Sequence, residues 1–145
     1  VHGWAGSTKM SKSDNGDSAI FLADAPEVIR KKVMRAVTDA GPTEPNQPKP
    51  QPVENLFQLM NVMSDVSTYD HFNELYNRCE IRYGDMKKQL AEDVIRFTAP
   101  FREKILDLQA RPEYLDQVAG MGAEKARESA SKTIRDVRRI IGFRR

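Results

Sequence analysis

The 145-residue sequence predicts an all-α protein, a helical bundle, and three observations carry that expectation. Apolar residues recur at intervals of three and four along most of the chain, the spacing that lines one face of an α-helix. Breaks rich in proline and glycine cut these periodic stretches into pieces of helical length. Nowhere do apolar and polar residues alternate long enough to read as a convincing strand.

The totals bound what such a bundle does. A chain of this size holds one domain with a real core. The net charge of +2 does not by itself announce a nucleic-acid binder, but its distribution is uneven: residues 123–145 carry eight basic side chains against three acidic ones. Cys79 is the only cysteine, which excludes an intrachain disulfide and argues against a thiolate metal site, in keeping with a reducing cytoplasm. No apolar run approaches the ~20 residues that span a bilayer, so a soluble chain is expected. It opens on Val1-His2-Gly3-Trp4, without an initiator methionine, and is expected to be a fragment of something longer.

Taken in order, the first element is a loop. Lys9-Met10-Ser11-Lys12-Ser13, followed by Asp14-Asn15-Gly16-Asp17, sets two ammonium groups three positions apart among small polar residues. Such a run reads as mobile, and lysine is a compact point charge on a flexible stem, suited to phosphate oxygens. The first helix is expected to start at Asp24, three residues before Glu27 in a capping-box pattern, with Pro26 in its first turn. Ile29, Val33, Ala36 and Val37 share a face, and Gly41-Pro42 stops the helix. Five prolines between positions 42 and 52 then make a semi-rigid spacer.

Residues 53–66 are apolar nearly all round, through Leu56, Phe57, Leu59, Met60, Val62 and Met63, as a central helix would be. A short helix from about Tyr69 turns Phe72, Leu75, Tyr76 and Cys79 inward, leaving His71 at the surface or the boundary. Gly84 closes it and Asp85 caps the next. That one is the longest, with Met86, Leu90, Val94, Phe97, Phe101, Ile105 and Leu108 as its seam and Pro100 as a kink. Tyr114, Leu115 and Val118 form a short helix ended by Gly120-Met121-Gly122. The final helix covers residues 123–141 and buries Ala126, Ala130, Ile134, Val137 and Ile141, with Lys125, Glu128, Lys132, Arg135 and Arg139 on its outer stripe.

Lys9-Met10-Ser11-Lys12-Ser13 matches at all five positions the signature loop of the class I aminoacyl-tRNA synthetases. An all-helical array after that loop resembles the C-terminal part of such an enzyme, and among the specificities the sequence is most similar to the bacterial tryptophanyl-tRNA synthetases. Ala36-Val37-Thr38-Asp39 resembles that family at the end of the first helix, and Tyr83-Gly84 with Ala99-Pro100-Phe101 resembles it along the long helix. Gly122-Ala123-Glu124-Lys125-Ala126-Arg127, with Ala130, Thr133, Val137 and Ile141-Gly142, resembles its last helix.

The resemblance implies a ligase that activates tryptophan with ATP, accompanied by Mg2+, and transfers the acyl group to tRNA(Trp). It implies that Lys9 and Lys12 are catalytic, and that Lys9, Met10, Ser11, Lys12 and Ser13 contact ATP. Lys132, Arg135, Arg138 and Arg139 become contacts to tRNA phosphates, a reading that competes with a solvated face whose cations compensate the helix dipole; no protein-bound metal is implied. Residues 1–23 would end a catalytic domain, and residues 24–145 would form the helical domain that meets the anticodon end of tRNA, with linker 42–52. The whole enzyme would be a cytoplasmic homodimer. The family's other signature, His-x-Gly-His in an α/β nucleotide-binding domain, is missing, and His2-Gly3 does not supply it. Residues 1–145 alone are therefore expected not to activate tryptophan. Two alternatives stand beside this reading: a free-standing helical module that binds RNA or protein, and the equivalent part of a tyrosine–tRNA ligase.

Overall fold

The structure, a computed structural model, describes residues 19–143. Five helices run through them: α1 (Pro26–Met34), α2 (Gln51–Met63), α3 (Val66–Asn77), α4 (Tyr83–Gln109) and α5 (Pro112–Ile140). No strand occurs among the described residues, so the all-α expectation holds. They divide into two compact units, one ending at Glu103 and the other starting at Lys104, so the division falls within α4.

The core of the first unit is assembled where apolar faces of α1–α4 meet. Ile29 and Val33 from α1, Val53, Leu56, Phe57 and Met60 from α2, Phe72 and Tyr76 from α3, and Met86, Leu90 and Val94 from α4 are all buried in one cluster. Phe57 is its hub, with edge-on contacts to Tyr69 (5.9 Å) and Tyr76 (5.8 Å), the geometry that aromatic quadrupoles favour. The proline-rich stretch does more than space two helices. Lys49 donates to Asn73 Oδ1 at 2.8 Å and sets its ammonium 4.6 Å from the Phe57 ring centre and 4.8 Å from that of Tyr76. Its cation thus strengthens the aromatic cluster from outside.

Several local expectations are corrected. The N-cap of α1 is Ala25, with no side-chain cap bond, because the Asp24 carboxylate is engaged elsewhere. The helix ends at Met34, short of Gly41, so Ala36 is buried from the following turn and Val37 is exposed. Cys79 is exposed rather than inward. It closes α3 in the left-handed region (φ 59°), with Glu80 N–H donating to the Leu75 carbonyl (2.8 Å) and Cys79 N–H to that of Tyr76 (3.0 Å). That pair of bonds is the Schellman closure. Gly84 accordingly lies inside α4 instead of ending α3. Along α4 the seam is buried only as far as Val94, whereas Phe97 and Phe101 touch with their rings tilted by 40° (5.5 Å between centres) and stay half-exposed.

The largest correction concerns the second unit. Gly120-Met121-Gly122 ends nothing: α5 runs unbroken for 29 residues and contains no buried residue. Neither glycine has positive φ, so neither makes the left-handed turn that stops a helix. Interior glycine costs about 1 kcal/mol relative to alanine, and the flanking Val118-Ala119 and Ala123-Glu124-Lys125-Ala126 continue the helix through it. Ile134, Val137 and Ile141, expected inside, are exposed.

Candidate functional site

The signature residues Lys9, Met10, Ser11, Lys12 and Ser13 lie outside the described residues. The stretch from Ala19 to Asp24, a few positions further along, is described and is tied down. Asp24 N–H donates to the Phe21 carbonyl (3.0 Å), and Phe21 N–H donates to Asp24 Oδ2 (3.0 Å), so residues 21–24 close into a turn. Lys32, in the last turn of α1, reaches into that turn. Its ammonium donates to Asp24 Oδ2 (2.7 Å) and to the Ala19 carbonyl (2.8 Å), and lies 4.9 Å from the Phe21 ring centre. The side chains of the ion pair are only 10% and 16% exposed, which makes this an interior charge pair rather than a surface one.

A cavity of about 210 Å³ beside this turn is walled by Pro26 and Ile29 of α1 and by Ile95 and Thr98 of α4; Asp24, Arg102 and Glu103 also line it. Pockets that hold small molecules run to roughly 300–1,000 Å³, so it is too small to be a nucleotide site. Between the same two helices, Arg30 grips Glu92 with two bonds, Nε to Oε1 at 2.7 Å and Nη2 to Oε2 at 3.2 Å. That hydrogen-bonded pairing raises the guanidinium above its ordinary range and lowers the carboxyl below its own.

A second polar cluster holds the chain where it leaves α1. Lys87 of α4 is buried and donates to the Ala36 carbonyl (2.7 Å) and to Thr38 Oγ1 (3.2 Å). Burial lowers the pKa of its ammonium. Next to it the Tyr83 hydroxyl donates to Asp39 Oδ1 (2.7 Å), and the same oxygen accepts from Gly41 N–H (3.0 Å). Burial, then the bond to Asp39, pushes the Tyr83 phenol well above its usual range. The Ala36-Val37-Thr38-Asp39 and Tyr83-Gly84 motifs are thus brought into contact, which their separation in the sequence did not reveal.

Lys132, Arg135, Arg138 and Arg139 all belong to α5, which buries none of its residues. At 100° per residue they fall within roughly a third of the helix circumference, opposite the line of Ala126, Ala130 and Val137. Arg139 spends one nitrogen on Asp136 (2.7 Å). The helix closes with Gly142 at φ 74° and Phe143 N–H donating to the Arg138 carbonyl (2.9 Å). These cations therefore sit on the last turns, where the helix dipole favours positive charge. Such a surface can bind phosphates but does not read bases.

Sequence reasoning missed Lys32 and Lys87 as buried cations. Both are charged residues on helices whose outer faces are rich in charge, and their partners lie 8 and 51 residues away. There was a signal for both: Lys32 stands one position before Val33 and Lys87 one position after Met86, each on the edge of its helix's apolar face.

The family model for tRNA synthetases class I (W and Y) matches residues 1–99. The chain is 57% identical over 144 residues to a tryptophan–tRNA ligase of Porphyromonas gingivalis, a match that takes in 99% of this chain and 43% of that one. Among solved structures, a tryptophanyl-tRNA synthetase from Campylobacter jejuni superposes with a TM-score of 0.74 at 28% identity, over 94% of this chain and 43% of the other. A tyrosyl-tRNA synthetase from Aeropyrum pernix reaches 0.59 at 22% identity, over 83% and 38%, a likeness of fold alone. The chain spans less than half the length of each of these relatives. With the family model matched over about two thirds of its length and the fold shared, the chain belongs to the class I tRNA synthetases of the tryptophan and tyrosine group.

Proposed function

We propose that the chain acts as the C-terminal part of a tryptophan–tRNA ligase. The observation that carries this reading is the 57% identity over 144 residues to a protein of that name. In this reading residues 1–23 complete a catalytic domain, and residues 24–145, with linker 42–52, form a helical domain that meets the anticodon end of tRNA(Trp). ATP enters as its magnesium complex, a substrate. The tryptophan carboxylate attacks the α-phosphorus, the aminoacyl-adenylate forms, and pyrophosphate leaves carrying the charge of the broken bond. Lys9 and Lys12 neutralise that charge, while Met10, Ser11 and Ser13 shape the contact with the phosphates; position and electrostatics do the work, with no covalent intermediate on the protein. The acyl group then passes to tRNA(Trp), which Lys132, Arg135, Arg138 and Arg139 hold by its phosphates. The enzyme works in the cytoplasm as a homodimer.

A hybrid tests this directly. Residues 1–145 replace the corresponding C-terminal part of the Porphyromonas gingivalis relative, and tryptophan-dependent ATP–pyrophosphate exchange is measured. The hybrid is expected to catalyse exchange, and Lys12→Ala to reduce it by roughly 10²–10³-fold, as loss of a transition-state charge contact does. A folded hybrid without exchange overturns the proposal, whereas residues 1–145 alone are expected to give none. For the RNA contact, Arg135→Ala or Arg139→Ala should each flatten the dependence of log affinity on log salt by about 0.7–0.9. An unchanged slope would make the stripe a solvated, dipole-compensating face.

A further inference from the structure

We infer that the cavity between α1 and α4 is a binding site for a small aliphatic carboxylate, whose charged end is held by Arg102. Every residue that lines it belongs to the first unit. Its volume of about 210 Å³ is less than a nucleotide needs but more than the roughly 150 Å³ of a cavity that takes up benzene. A short branched carbon chain with one polar end fills such a space. Pro26, Ile29, Ile95 and Ala99 supply the apolar walls. The polar lining sets the headgroup. Thr98 is buried, and its hydroxyl spends its proton on the Val94 carbonyl (2.9 Å), so it has none to offer a ligand. Asp24 Oδ2 accepts from Lys32 and from Phe21 N–H, and Lys32 matches its charge. Arg102 differs from both. Its Nε is shut off from solvent and has no hydrogen-bond partner, although Asp24 and Glu103 line the same cavity. Elsewhere Arg30, Arg96 and Arg139 each hold a carboxylate. A buried N–H of a charged group left without an acceptor is costly, and an incoming carboxylate supplies that acceptor through a charge-assisted bond. Glu103 adds an acceptor for an ammonium group, so a free aliphatic amino acid binds more tightly than the acid that lacks the amine. The site uses none of the residues assigned above to ATP or tRNA, and it stands independently of that function.

The test titrates the isotope-labelled chain with isocaproate, with leucine and with isohexanol, the neutral counterpart of the acid, and follows amide chemical shifts. Isocaproate is expected to move the amides of residues 24–29 and 95–103 with a Kd of about a millimolar, the range open to a ligand of about eight non-hydrogen atoms. Isohexanol should bind at least about tenfold more weakly, and Arg102→Met should weaken isocaproate by a similar factor. Ala99→Phe, at an exposed position of the lining, closes the cavity and should remove binding of both. Saturating isocaproate should raise the melting temperature of the unsubstituted chain and leave that of Ala99→Phe unchanged. Leucine should bind a few-fold more tightly than isocaproate, a preference that Glu103→Gln abolishes. Leucine and isocaproate binding alike would support the carboxylate site and assign it to simple acids. Equal affinity for the acid and the alcohol would overturn the inference. So would binding that survives Arg102→Met or Ala99→Phe undiminished, or the absence of any shift at about fiftyfold the expected Kd.

Discussion

Helices α1–α4 up to Glu103 and helix α5 are written in the same amphipathic idiom, yet only the first set buries its apolar face. Ile29, Leu56, Tyr76 and Leu90 are sealed, while Leu115, Val118, Ile134 and Val137 are exposed. The difference lies in neighbours rather than in composition. Around Phe57 three other helices contribute to one cluster, and polar ties such as Lys49 to Asn73 and Lys87 to Ala36 close its edges. In α5 the same periodicity has no such set of partners within its own unit, so its stability as a helix rests on propensity, capping and i,i+3 pairs such as Arg139–Asp136.

The largest effect that would break this contrast is a core truncation. Phe57→Ala removes the ring shared by Tyr69, Tyr76 and Lys49 and should cost about 3–5 kcal/mol in urea unfolding of the chain. Val137→Ala on α5 should cost less than about 0.5 kcal/mol, as at an ordinary exposed site. Comparable values for the two would show that α5 is buried in solution, and the distinction between the regions would fall.

Next in size is the tie between α4 and the exit of α1. Lys87→Met leaves the Ala36 carbonyl without its donor and should destabilise by about 1–3 kcal/mol near neutral pH. The pH dependence has a definite sign. Because burial lowers the folded pKa of Lys87 below its usual 10.5, the unfolded chain holds the proton more tightly, and its contribution to stability grows as pH rises through that interval. Tyr83 acts in the opposite sense: its raised pKa contributes stability below the ordinary value of 10, lost as pH climbs toward the folded value. The difference between Lys87→Met and the unsubstituted chain should therefore widen at alkaline pH, and a constant difference would contradict the assigned burial.

How much of this was legible beforehand depended on whether a face found a partner. Spacing alone identified Ile29 and Val33, Leu56, Phe57 and Met60, Phe72 and Tyr76, and Met86, Leu90 and Val94, because each such face found a partner. The seam of Phe97 and Phe101 was equally regular and was not buried, since periodicity records a capacity for burial and says nothing of what lies opposite. Cys79 continued an apolar stripe but sits where the chain must turn left-handed, and that demand outweighs hydrophobicity. Asp24 read as a cap because local rules know only near neighbours, whereas its carboxylate goes to Lys32. Of the candidate site, the basic face of α5 was readable from residue spacing, while the signature at residues 9–13 was readable as a motif and falls outside the described residues.

A smaller effect probes the continuity of α5. A Cβ added at Gly120 or Gly122 meets no other heavy atom within 4 Å, and neither position has positive φ. Each change to alanine should therefore stabilise the helix by about 0.5–1 kcal/mol, seen as a gain in helical circular dichroism on heating and as slower amide exchange through the middle of α5. A loss instead would mean that close approach of another backbone requires the glycines.

The smallest effect belongs to a surface pair that nonetheless joins two helices of the first unit. Arg30 and Glu92 are about half-exposed, at 47% and 53%, so solvent screens their attraction and the contribution is modest. The hydrogen bond from Arg30 holds the Glu92 carboxyl below its ordinary 4.5, which means the pairing contributes fully above that value and is lost as pH falls through the folded pKa. Glu92→Gln should narrow the gap in stability between about pH 6 and about pH 3, and raised salt should shrink the effect further in the unsubstituted chain. An acid transition identical in the two proteins would show that the fork is not maintained in solution, leaving the apolar contacts of Ile29 and Val33 to hold α1 unaided.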